Sequence, residues 1–453
     1  MRNFLIFLTL FLRSFIAKAE EKKSEAIILE NYRQEPNLKF PWKKNGLKKT
    51  NPAVFKIIYE GKLYFLTLGS LVQYSARLAH PQTKVSFAIK WMDWERNLAF
   101  LQPKEVFEHS QIKGFELSDE IGFEKVVELY YPQGKGGQSL DRVKLVSLDL
   151  ESAPFSAYKF VHYTLSNKNY DLPDGGGIFS EGKLAGICFD VNEKVFRCIP
   201  SFTIKESLSH FVRGAKKSEF ASLDFELTEL KNPIPYSHIG TLPHGLKDDD
   251  VILEIDGVSI RENAKIAHKF WNKVDYHYLL EKKKVGSKVD LLILREGKKI
   301  KIGLVLQAQN SNSGPIEYYK EQASPSYYLV GGIVFQRLTY SYLRSFGENW
   351  ERNIPPNFYH LLHYGRERGF KGDAIFISHV FPGHMSKGYE NLKFSVLDQV
   401  GKISSINFLE LGKIFNSEKG QLKFYLRDGR GILFLDLAES LKEKEFIKKM
   451  YSI

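Results

Sequence analysis

The side chains able to make and break covalent bonds in this chain are its serines, its twelve histidines and its two cysteines. Acyl transfer by such a set needs a nucleophile, a base touching it and a group that orients the base. His162 has serines near it in sequence, Ser166 and Ser180, and the run Asp174-Gly175-Gly176-Gly177 lies between those two. His162 itself reads as a strand histidine satisfied by its neighbours. No Gly-x-Ser-x-Gly elbow and no His-Glu-x-x-His zinc motif occurs, and no rival catalytic constellation, metal motif or cofactor motif is read. Taken alone, the three glycines are a turn between strands.

Their wider context says more. The stretch from Asp174 through Ile178-Phe179-Ser180-Glu181-Gly182-Lys183-Leu184-Ala185-Gly186-Ile187 resembles the nucleophile loop and following strand of trypsin-like proteases of the HtrA/Deg family, where Gly-Asn-Ser-Gly-Gly carries the serine. Phe196-Arg197-Cys198-Ile199-Pro200-Ser201 resembles the family's Phe-Ala-Ile-Pro segment. Tyr64-Phe65-Leu66-Thr67-Leu68-Gly69-Ser70-Leu71-Val72 resembles the strand and turn that present its histidine. Asp93-Trp94-Glu95-Arg96-Asn97-Leu98-Ala99-Phe100-Leu101 resembles the segment with its aspartate. The three segments follow in the His, Asp, Ser order of chymotrypsin-type enzymes.

The resemblance places Ser70 at the histidine position, Asn97 at the aspartate position and Gly175 at the serine position. Glycine cannot attack a carbonyl, serine is no base near neutral pH, and asparagine carries no charge to steady an imidazolium. The oxyanion donors of the family are the N–H groups of the serine and of the residue two before it, here Pro173, which has no N–H. A donor of that kind is worth roughly 3–4 kcal/mol in the transition state. The expectation is a protease frame without its chemistry.

The chain has 453 residues, 43% hydrophobic and 14% aromatic, enough for about three domains with packed cores. Residues 1–19 read as a secretory signal peptide: Arg2, the short apolar run Phe4 to Leu12, and the small-x-small site Ala17-Lys18-Ala19. The expected destination is the periplasm or outside. Residues 20–50, Lys-rich with Pro36 and Pro41, read as a loosely ordered polar arm. Short β-runs over 51–215 read as a sandwich or double barrel, and the resemblance implies two six-stranded barrels, with a helix leaving the domain over 202–212. Cys188 and Cys198 flank a hairpin tip at Val191 to Lys194, so either a disulfide or two buried thiols fits. The net charge of +12 is scattered. That pattern gives no nucleic-acid motif and reads as a solvated surface, with attraction to an acidic membrane surface left open.

Residues 216–308 resemble a PDZ domain of the Deg type. Phe220-Ala221-Ser222-Leu223-Asp224-Phe225-Glu226-Leu227 matches its carboxylate loop and groove strand, and Gly245-Leu246-Lys247-Asp248-Asp249-Asp250-Val251-Ile252-Leu253 its usual turn and strand. Leu223 and Phe225 are then groove residues. Asp224 stands where the loop has glycine, beside the expected anion, and the strand between the motifs is shortened or missing. Residues 309–324 read as a linker. Residues 325–453 resemble a second PDZ domain, in which Tyr327-Tyr328-Leu329-Val330-Gly331-Gly332-Ile333-Val334-Phe335 matches the loop and strand. Val330, Gly331, Gly332, Ile333, Val334 and Phe335 are the expected peptide-binding residues, with Ile333 to Phe335 as an open strand for β-addition.

The fold expected is mostly β: a trypsin-like double β-barrel followed by two PDZ-like α+β domains. The expected role is an exported pseudoprotease binding peptide segments or unfolded chains as an adaptor or chaperone-like scaffold. By resemblance it would form a homo-oligomer, a trimer in the family. An active peptidase with a displaced triad and a structural surface protein are the rival readings.

Overall fold

The computed structural model describes residues 26–453 except 108–113, 133–137, 153–155, 157, 167–173, 190–194, 237–241, 244, 309–314, 318–323, 366–369, 371, 418–419, 428 and 430. The expected signal peptide, Pro173, the hairpin tip at 191–194 and most of the linker lie outside the described residues.

Strands dominate. The first half is built on the hairpin Ala53–Tyr59 and Lys62–Leu68, closed by Glu60-Gly61, both at positive φ, the geometry whose twist matches paired strands. Ile27–Ile28 flanks it on one side and Leu98–Pro103 and Phe87–Asp93 on the other; Phe115–Glu116 pairs parallel to Ala53–Tyr59. Both faces of this sheet are covered. Phe55, Ile57, Leu66 and Phe100 face one core, while Val54, Ala99 and Leu101 face a second with Ile27, Leu29, Val72 and Leu78. The next six strands close into a barrel, in the order Val126–Pro132, Gln138–Ser152, Lys159–Ser166, Val195–Pro200, Lys183–Phe189, Gly177–Ser180. Closure leaves no free edge.

The first half comprises this six-stranded sheet and a three-stranded companion, Lys48–Thr50, Glu30–Arg33 and Ser75–Ala79, and the second half is the closed barrel. One expectation is corrected here. The arm is ordered from Ala26 onward. Ala26-Ile27-Ile28-Leu29 is an apolar run that the core takes up, with every one of the four buried. Apolar burial of about 25 cal/mol per Å² outweighs the local bias of lysines and prolines toward disorder. Residues 36–45, between two strands of the companion sheet, carry Phe40 and Trp42 onto the C-terminal module. Trp42 packs on Tyr327, His379 and Phe381 at centroid distances of 5.7, 5.0 and 5.3 Å, and Phe40 on His379 at 4.9 Å.

The expected exit helix spans Ser201–Val212 and seats Ile204 and Leu208 in the core. The sheet that follows runs Asn272–Asp275, Lys265–His268, Val258–Arg261, Val251–Ile255, Lys288–Arg295, Lys298–Val305. It shares one continuous core with the closed barrel: Trp271 stacks on Tyr163 with centroids 5.8 Å apart, and Leu223 and Phe225 belong to the same cluster. Between Leu227 and Asp250 the described residues hold one strand, the two-residue Pro235–Tyr236.

The C-terminal module has a three-stranded sheet, Tyr327–Val330, Ile333–Arg337, Ile375–Val380, and a four-stranded one, Ile403–Ser404, Leu397–Val400, Gln421–Leu426, Ile432–Asp436. Phe335, Phe415 and Phe424 form its centre, Phe335 lying 5.5 and 5.4 Å from the other two rings. Helix Phe408–Ser417 packs on one side and helix Leu437–Tyr451 on another. Helices Tyr340–Arg344, Trp350–Asn353 and Pro356–Tyr364, not foreseen from sequence, fill the insertion between two strands. Among the described residues no helix is long and apolar enough to cross a membrane.

Candidate functional site

Ser70, Asn97 and Gly175 come together, as the resemblance implies for the positions they hold. Ser70 lies in the short helix Gly69–Val72, directly after strand Lys62–Leu68. Asn97 is buried in the turn before strand Leu98–Pro103, at φ 56°, a left-handed conformation that Asn tolerates better than most residues. Its Oδ1 accepts the Ser70 N–H at 2.7 Å, and its Nδ2 donates to Ser70 Oγ at 3.2 Å. The amide thus uses an acceptor and a donor on one partner. A carboxylate could supply only the first.

Gly175 lies against Leu71, the residue after Ser70. Its φ is +93°, and a Cβ there would lie 2.5 Å from Leu71 Cδ1. The residue after Ser70 therefore fills the space that a nucleophilic side chain would enter. The loop is held by strand Lys183–Phe189: Gly175 N–H donates to Cys188 O at 2.8 Å, and Cys188 N–H donates to Gly176 O at 2.7 Å. Cys188 is bonded to Cys198 on the adjacent strand, so the disulfide alternative holds and the bridge sits directly behind the glycine loop.

A buried ion pair fixes the turn that carries Asn97. Asp93 Oδ1 accepts the Arg96 N–H at 3.2 Å; Asp93 Oδ2 accepts from Arg96 Nη1 at 3.2 Å and from Ser207 Oγ at 2.7 Å. The Arg96 guanidinium also lies 4.2 Å over the Phe220 ring, which joins three segments distant in sequence. His162 is buried on strand Lys159–Ser166 with its ring 4.9 Å from Phe189. Burial, aided by the Arg197 charge, pushes its pKa down to about 3. Its Nδ1 has no hydrogen-bond partner among the described residues, a hydrogen bond with the Phe160 backbone opposes the shift, and the ring is neutral and packed.

The residues foreseen as a peptide groove do not form an open one. Gly331 and Gly332, at φ 52° and 79°, form the two-residue turn of a hairpin in which Val330 pairs with Ile333 and Tyr328 with Phe335. They are not an open carboxylate loop: a Cβ on Gly332 would lie 2.7 Å from Phe381 O. Ile333 to Phe335 are buried and paired on both edges, with Tyr327–Val330 on one and Ile375–Val380 on the other. Tyr327–Val330 covers the edge toward helix Phe408–Ser417. Its Tyr328 ring packs against Phe408 and Phe415 at 4.6 and 5.5 Å, directly over Gly412. Leu223 and Phe225 are likewise closed off, being buried in the core shared with the barrel. Asp224 between them is exposed and adopts φ 65°, the conformation that the family's glycine would supply.

The PDZ domain family profile matches residues 316–453. Sequence relatives include "Putative protease Do-like 11, mitochondrial" of Arabidopsis thaliana, 26% identical over 296 residues, covering 61% of this chain and 49% of that protein. "Putative protease Do-like 12, mitochondrial" of the same plant is 23% identical over 372 residues, covering 76% of this chain and 66% of that protein. "Protease Do-like 2, chloroplastic" is 23% identical over 303 residues, with 62% and 49% covered. The chain thus spans about half to two thirds of the length of these three. Among solved structures, "HtrA-type protease AlgW with decapeptide" aligns at 15% identity and a TM-score of 0.44, covering 64% of this chain and 97% of that one. The sequence relatives are thus Do-like, that is Deg/HtrA-type, proteases, and residues 316–453 of this chain match a PDZ domain.

Proposed function

We propose that this chain is a pseudoprotease of its family, exported and working as a peptide-binding adaptor or chaperone-like scaffold. The observation that carries this reading is the packing of Leu71 into the position that a side chain at Gly175 would need. A glycine there removes the nucleophile, and the Leu71 methyl would have to shift to admit one. Ser70 and Asn97 are engaged with each other and supply neither an imidazole nor a carboxylate. Four defects, counting the missing N–H of Pro173, act on the same reaction.

Peptide capture would use a different strand from Ile333 to Phe335. Tyr327–Val330 is the edge of its three-stranded sheet and lies beside helix Phe408–Ser417. An extended segment adding there would gain main-chain hydrogen bonds from the strand and side-chain contacts from the helix. The first PDZ-like unit, its candidate groove residues buried against the barrel, acts as a spacer. Self-association into an oligomer belongs to the same reading.

The full chain is tested for cleavage of fluorescent casein, for labelling by a fluorophosphonate and for capture of unfolded casein in a pull-down. Capture without cleavage or labelling is expected. Stoichiometric labelling of any serine would overturn the pseudoprotease reading, and failure to retain unfolded casein would overturn the adaptor role. Light scattering reads the oligomeric state.

A further inference from the structure

A cavity of about 270 Å³ lies where the start of helix Phe408–Ser417 meets the end of strand Ile333–Arg337 and Leu38 of the N-terminal loop. It is somewhat smaller than the roughly 300–1,000 Å³ of pockets that hold drug-sized ligands, so it suits a ligand the size of one amino acid. Leu38, Tyr342 and Phe408 give it apolar walls.

Three polar side chains on its lining have unused capacity. Gln336 is only 2% exposed. Its amide nitrogen donates to Leu38 O at 3.3 Å; a carbonyl can only accept, which fixes the amide orientation and leaves Oε1 as the free atom. That Oε1 has no partner, and a buried acceptor without a donor is costly. Asp373 accepts the Phe408 N–H through Oδ2 at 2.7 Å, leaving its other oxygen available. Arg337 has five donors and, among the described residues, makes one long ion pair, 4.0 Å to Glu317.

The helix start narrows the ligand further. Asn407 Oδ1 accepts the Glu410 N–H at 2.8 Å, and Glu410 accepts the Asn407 N–H at 3.1 Å. With Asp373 on Phe408, the helix end is already capped by negative groups. A bare anion would meet Asp373, and a bare cation would meet Arg337. A molecule with both charges on one carbon satisfies the two sides together.

We propose that this cavity binds a free α-amino acid with an apolar side chain. Its carboxylate meets the Arg337 guanidinium, its ammonium donates to Gln336 Oε1 and the Asp373 carboxylate, and its side chain lies on Leu38, Tyr342 and Phe408. Because Leu38 belongs to the N-terminal loop, the ligand joins that loop to the C-terminal module.

The test is calorimetric titration of the full chain with L-phenylalanine, phenylacetate and phenethylamine, with melting temperature as a second readout. L-Phenylalanine is expected to titrate to saturation and to raise the melting temperature. The two single-charge analogues should bind at least about tenfold more weakly, each leaving a charged group of the lining unpaired. Arg337→Gln and Asp373→Asn, the latter keeping an acceptor for Phe408 N–H, should each weaken L-phenylalanine by a similar factor. If either variant fails to fold, the three-ligand comparison on the natural chain decides alone. No saturation by ~10 mM L-phenylalanine, or phenylacetate binding as tightly, overturns the proposal.

Discussion

The side chain of Leu71 occupies the position toward which a side chain at Gly175 would grow, its Cδ1 2.5 Å from that ideal Cβ. The two residues stand on separate elements, the helix after strand Lys62–Leu68 and the loop before strand Gly177–Ser180. Each is accommodated by the other. Gly175→Ser should therefore destabilise the fold by about 2–4 kcal/mol, combining a non-glycine residue at positive φ with overpacking. Adding Leu71→Ala should recover the steric part and leave the backbone part. Denaturant melts of the two variants check this; a neutral Gly175→Ser would contradict the packing.

Breaking the ion pair behind Asn97 should be more damaging. Asp93→Ala leaves Arg96, 3% exposed, charged and without its carboxylate, at a cost of about 3–5 kcal/mol. Ser207→Ala removes one hydrogen bond to the same oxygen and should cost about 1 kcal/mol. Equal losses in urea titrations would mean that the charge is not compensated by Asp93.

Acid should loosen the contact of the N-terminal loop with the C-terminal module. Burial, helped by the charges of Lys393 and Lys43, lowers the His379 pKa to about 4. The folded value lies below the ordinary 6.5, so the neutral ring is favoured in the folded state. Its contribution is complete above pH 6.5 and is lost as pH falls toward 4, by no more than about 3 kcal/mol. Stability measured from pH 7 to 4 should fall less steeply in His379→Gln. Identical slopes for both chains would rule out His379 as the titrating group.

Reduction of Cys188–Cys198 should lower stability. The bridge spans 10 residues of sequence, for which the chain-entropy view gives about 2–3 kcal/mol. Calorimetry with and without a phosphine reductant reads the change, and the double variant Cys188→Ala, Cys198→Ala should melt at the reduced temperature.

The site frame could be read from sequence because its pieces are contiguous runs. Leu68-Gly69-Ser70-Leu71, Arg96-Asn97-Leu98 and Asp174-Gly175-Gly176 each kept enough neighbours to be placed. The Leu71–Gly175 contact could not be read, since it depends on the approach of two elements about a hundred residues apart. The Gly331-Gly332 turn has a local signal, since Leu329-Val330 and Ile333-Val334 are apolar pairs around two glycines, a hairpin pattern, and the resemblance to a PDZ loop points the other way. The Ala26 to Leu29 run likewise announced a strand, but the lysines around it suggested a tail.

The insertion of Phe40 and Trp42 between Tyr327, His379 and Phe381 makes the association of the outermost modules a unimolecular equilibrium. The effective concentration of one for the other is set by the intervening polypeptide, on the order of millimolar for short flexible tethers. A contact too weak to unite separate molecules therefore suffices to keep the chain looped shut. A free molecule competing for Tyr327 or His379 would have to reach comparable concentrations before the loop gave way.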